Sequence, residues 1–212
     1  MRSPIPSALF ALVLLAANAA AQGNWTPPRL VSAQMDPAPW NVQSGGIAAC
    51  EAKLDVQGGV TSSDVVQDVP PYGATLCDAA RAWRFDPAMA GGQAVPSHVL
   101  VLGFFRPPAT AFAAPDAPRY KSTTAPEEIP WPTSVAVPPY PPNALGSGMV
   151  VLEADVSDRG QVTRTRVLSS PGAFDSAASD AVQKWVFRPA RYKGREVRSR
   201  AFLVVSFVGT TP

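Results

Sequence analysis

The chain has 212 residues, 46% of them hydrophobic and 16% charged, a composition that supports packed domains and excludes a disordered polyelectrolyte. Its formal net charge of +2 is too small to point to a nucleic-acid partner. The 24 prolines are the unusual feature, and they mark the segments between domains.

Arg2, the apolar run Ala8 to Ala17 and the small residues Asn18-Ala19-Ala20-Ala21 read as a secretory signal peptide, residues 1–21, cleaved after Ala21. The run is shorter than the ~20 apolar residues that cross a bilayer as a helix, so a retained anchor is the lesser reading. A Pro-containing segment, residues 22–36, follows. Cys50 and Cys77 then lie in a compartment where disulfides persist, and their pairing is expected, with two inert buried thiols as the alternative.

From Pro37 onward the sequence echoes itself 102 residues later, most plainly where Trp83-Arg84-Phe85-Asp86-Pro87-Ala88 returns as Trp185-Val186-Phe187-Arg188-Pro189-Ala190. Gly46 matches Gly148, Glu51 matches Glu153 and Phe105 matches Phe207. Two copies are expected, residues 37–108 and 139–212, held apart by a Pro-rich spacer at 109–138.

Within the second copy, Met149 to Ser157 alternates, with Val150, Leu152, Ala154 and Val156 inward and Glu153 and Asp155 outward, the mark of a half-buried strand. Ser157-Asp158-Arg159-Gly160 turns the chain into a partner strand, Gln161 to Ser169. Phe174, Ala178, Val182 and Trp185 fall on one helical face. Pro189 stops the helix after Trp185 and Phe187, Gly194 makes a turn, and Ser199 to Val208 is a last strand. Trp83, Phe85 and Pro87 mark the same turn in the first copy, where Cys50 stands on the first strand and Cys77 on the helix that covers it. The fold class is therefore α+β: two tandem small domains, each a three-stranded antiparallel sheet covered by a helix.

Nothing in the chain marks catalysis, a cofactor or a metal. His98 stands alone at the start of a strand, Ser169-Ser170 lacks a neighbouring base, and Glu51 and Glu153 lie on outer strand faces where carboxylates are solvated. Charge divides the copies: 37–108 carries four Lys or Arg against six Asp or Glu, and 139–212 carries ten against six.

The second copy resembles the C-terminal domain of TonB, the periplasmic energy transducer of Gram-negative bacteria. The resemblance rests on Tyr140-Pro141, Gly148, Gly160-Gln161-Val162, Ser169-Ser170, Phe174-Asp175 and Trp185 to Ala190, with Gly194 and the terminal strand. It implies a periplasmic protein that binds a short segment of an outer-membrane transporter, or of another envelope protein, by adding it as a strand beside the last strand. On that reading the partner-binding residues are Arg198, Arg200, Phe202, Val204 and Ser206. Two other readings stand beside it: a structural or assembly module whose copies pair with each other, and an anchored transducer.

Overall fold

A computed structural model describes residues 25–36, 45–106, 116–117 and 126–209. The expected signal peptide, the start of the first copy at Pro37 and half of the 109–138 segment lie outside the described residues.

The first half opens with two short strands, β1 (Trp25–Thr26) and β2 (Arg29–Ser32). β3 (Gly46–Leu54) and β4 (Val60–Gln67) form a hairpin, and an 11-residue helix, Tyr72–Ala82, follows. β5 (Arg84–Asp86), β6 (Ala88–Ala90) and β7 (Gln93–Val95) lead into the long strand β8 (Ser97–Phe105). The second half repeats this order with one short strand at its start in place of two: β9 (Trp131–Ser134), β10 (Gly148–Val156), β11 (Val162–Ser169), a helix at Asp175–Val182, then β12 (Val186–Arg188), β13 (Ala190–Tyr192), β14 (Arg195–Val197) and β15 (Ser199–Phe207).

Contacts recur at the same 102-residue spacing. Phe85 N–H donates to Gly58 O and Phe187 N–H to Gly160 O; Thr61 Oγ1 donates to Lys53 O and Thr163 Oγ1 to Asp155 O. Tyr72 stacks on Phe105 and Phe174 on Phe207. Burial of Tyr72, in the first turn of the helix, raises its pKa above the ordinary value, so the phenol serves as a packed neutral ring.

The architecture is α+β, but the six long strands do not form two separate three-stranded sheets. They form one six-stranded sheet in the order β11-β10-β15-β8-β3-β4. The join is a parallel pairing of the two last strands, with Phe202 opposite Val101 and Val205 opposite Phe104. That register has an offset of 101, one short of the repeat. Side chains alternate along a strand, so a slip of one places matching residues of the two halves on opposite faces. Leu76, Cys77 and Ala80 of the first helix therefore pack with Val101, Phe105 and Phe202 on one face. Ala177, Ala178 and Val182 of the second helix pack with Leu102, Phe104 and Leu203 on the other. The halves relate as if by a twofold axis running along the strands between β8 and β15.

Cys50 and Cys77 are bonded, fastening β3 to the first helix at a Cα separation of 5.5 Å. Closing a loop between residues 27 positions apart contributes about 3 kcal/mol in the loop-entropy account. The other sharp constraint is Gly160 at the β10–β11 turn. Its φ is +78°, and a Cβ there would stand 1.7 Å from Phe187 O. Gly194, at φ +75° in the β13–β14 turn, has open space around it. Gly160→Ala should therefore lower stability by at least about 3 kcal/mol and Gly194→Ala by only about 1 kcal/mol. Urea midpoints of the two variants check this, and equal shifts would contradict it.

Candidate functional site

The expected open edge along Arg198 to Val208 is not open. β15 pairs with β10 on one side and with β8 on the other, so it is an interior strand. The five expected partner-binding residues are accordingly dispersed. Arg198 is exposed between β14 and β15, whereas Phe202 and Val204 are fully buried, Phe202 meeting the ring of Phe85 edge-on at 5.0 Å. Ser206 Oγ accepts the Arg106 backbone N–H at 3.1 Å, a bond from the end of β8 to the end of β15. Arg200 is drawn into a polar network described below. The physical reason is that the last strand of each half satisfies the free edge of the other.

The motif residues sit at the rim of this joined core. Trp83, Phe85, Trp185 and Phe187 are all buried, Pro87 and Pro189 separate successive short strands, and Gly194 is at a hairpin tip. Each indole N–H reaches a backbone carbonyl 49 residues earlier: Trp83 Nε1 donates to Gln34 O at 2.9 Å and Trp185 Nε1 to Ala136 O at 3.0 Å. Those carbonyls belong to segments expected to be spacers. Where they are described, these segments are instead straps built into the core. β2 pairs with β5 and β9 pairs with β12, while Leu30, Ile129 and Trp131 are buried.

The first strap lies over the second half of the sheet, in one cluster with Val151, Phe202 and Val204. Beneath it is Glu153, whose outward-facing carboxylate was expected to be solvated and is only 5% exposed. Glu153 Oε2 accepts the Leu30 N–H at 2.8 Å and faces Arg166 at 3.2 Å, and Arg166 in turn donates to Leu30 O at 2.6 Å. Arg200 donates to Asp155 at 2.8 Å and to Pro27 O at 2.9 Å. The network thus holds strap backbone from one half against side chains of the other. A buried carboxylate persists only when paired in this way. In the first half His98 meets Glu51 at 2.5 Å in the corresponding place, and Pro132, standing where Leu30 stands, has no N–H to offer.

Sequence reading missed the straps and the network. A signal for them was present, since the 102-residue register extends upstream of Pro37: Pro28 matches Pro130 and Ser32 matches Ser134.

The open edges of the sheet are β4 and β11; neither has a strand on its outer side among the described residues. β11 presents exposed Thr163 and Arg164.

Glu153→Ala would leave Arg166 without its carboxylate and the Leu30 N–H without its acceptor beneath the strap, and should cost about 3 kcal/mol. It should also make the chain near Pro27 to Leu30 newly sensitive to protease; an unchanged urea midpoint and cleavage pattern would contradict the assigned role.

Among curated proteins none matches the chain. Residues 136–208 match the family model for the Gram-negative bacterial TonB protein C-terminal, so the second half, from its strap carbonyl at Ala136 through β15, is similar to that family.

Proposed function

We propose that the protein is a periplasmic, TonB-like binding module that recognises extended segments of envelope proteins by strand addition at the β11 edge. The signal peptide read from residues 1–21 places it in the periplasm on this reading, and it acts by binding rather than catalysis. In this account it consists of two TonB-C-like copies, the first divergent. The family match at 136–208 and the contacts repeated across the two halves support this.

The observation that carries the reading is the pairing of β15 with β8. It removes the last strand as a docking edge and leaves β11, on the far side of β10, as the unpaired edge of the family-like half. An unpaired edge offers a row of backbone donors and acceptors that an extended peptide can fill.

A second reading is favoured by the same β8–β15 pairing: a structural or assembly module of the envelope, without a transport role, whose halves complete each other. An anchored transducer has less support, because the apolar run Ala8 to Ala17 is shorter than the ~20 apolar residues that cross a bilayer as a helix.

Titration of the full chain with an N-terminal peptide of an outer-membrane transporter, followed by backbone amide spectra, separates the first two. Strand addition should move amides of Val162–Ser169 and leave Phe202–Val205 in place. Shifts centred on Phe202–Val205 would mean that β8 is displaced, and no shift at millimolar peptide would favour the structural module.

A further inference from the structure

The ten Lys and Arg residues of the second half have an internal control. At the positions 102 residues earlier the first half carries no Lys or Arg at all. Lys184, Arg188, Lys193, Arg195 and Arg198 correspond to Ala82, Asp86, Gly91, Gln93 and Pro96, and Arg159 to Gln57. The first half nonetheless forms the same hairpins with the same registers, Ala88 opposite Val95 as Ala190 is opposite Val197. The fold therefore does not require these cations.

The six are exposed, and none meets a carboxylate among the described residues. They gather at one end of the sheet. β10 ends and β15 begins there, at the Val156–Ser199 pair, and the Phe187 N–H to Gly160 O bond draws the β10–β11 turn to the segment after the second helix.

Lys193 adds a second, independent observation. It sits at φ +52°, the one non-glycine among the described residues in the left-handed region, where its counterpart is Gly91 at φ +59°. A backbone strain that glycine would relieve is kept at the tip of the hairpin, and strain of this kind is a mark of function. The Lys193 ammonium lies 5.3 Å from the ring of Tyr192, which stacks on Trp25 at 4.6 Å.

We propose that this basic end of the second half, around the Trp25–Tyr192 stack, docks on an anionic phospholipid surface. Two features favour a lipid surface over an acidic polypeptide. The cations are spread over a turn, a helix end, a strand and a hairpin rather than converging on a groove, as suits diffuse headgroup charge. Half-buried Trp25 and Tyr192 stand among them, and amphipathic rings of this kind favour the headgroup level.

The test is sedimentation of the full chain with vesicles of phosphatidylcholine alone or with 30 mol% phosphatidylglycerol, an amount on the order of that in an anionic bilayer. Any contribution of the apolar run appears with both, so the difference between compositions reads the charge. The first half supplies substitutions that its own copy of the backbone accepts: Lys184→Ala, Arg188→Asp, Lys193→Gly and Arg195→Gln. Combined, they should reduce the phosphatidylglycerol-dependent partition on the order of a thousandfold, and salt should also weaken that of the unsubstituted chain. Lys193→Gly alone should lower it about fivefold while holding or raising the urea midpoint, a combination that a structural role would not produce. Equal binding to both vesicle types would overturn the proposal. So would capture by polyglutamate in place of the anionic vesicles, which would assign the surface to an acidic polypeptide.

Discussion

The structure depends on the parallel pairing of β8 with β15. Each half alone would leave the outer edge of its last strand unpaired, and an exposed strand edge of that length invites pairing with another chain. Here the two last strands satisfy one another within a single chain. The one-residue slip in their register then decides the rest. It sends the helices to opposite faces, so each half of the sheet is covered by its own helix on one side and lies bare on the other. The bare faces hold Phe202 and Val204 in one half and Leu100 and Leu102 in the other. The straps at 25–36 and 127–137 close them. Burying Glu153 beneath the first strap requires the arginines and the Leu30 N–H, and so ties strap, sheet and both halves together.

Much of each half was legible in the residues. Alternation located β10 and β11, helical spacing located the second helix, and the positions of Cys50 and Cys77 on facing elements located the disulfide. The join between the halves was read wrongly because local patterns do not say which strand comes next in a sheet. Yet Val99 to Val101 and Ala201 to Val205 are runs of apolar residues without alternation, the pattern of strands covered on both faces. An open edge in contact with water would not carry them. The straps were hidden for another reason: their prolines suggested spacers, while the demand on them comes from two distant indole N–H groups and one carboxylate, which no local window contains.

The two halves also separate what the fold needs from what it does not. Gly58 and Gly160 share a left-handed turn pressed against a carbonyl, and both halves keep it. Lysine and arginine around the β13–β14 hairpin are kept in one half only. Conformational requirements therefore explain the repeated residues, and the unrepeated cations call for an account outside the fold. With β15 enclosed, the proposed binding functions fall to the periphery: the β11 edge for extended chain and the basic end for an anionic surface. The family match covers residues 136–208, while the pairing of the halves determines which edges of the sheet remain unpaired.

Hydrogen exchange of backbone amides tests that pairing most directly. If β8 and β15 are joined, the amides of Phe202–Val205 exchange as slowly as those of β10, at the rate set by global unfolding, while outward-facing amides of β11 exchange quickly. Alternate amides of Phe202–Val205 exchanging as fast as those of β11 would show an open edge and contradict the account.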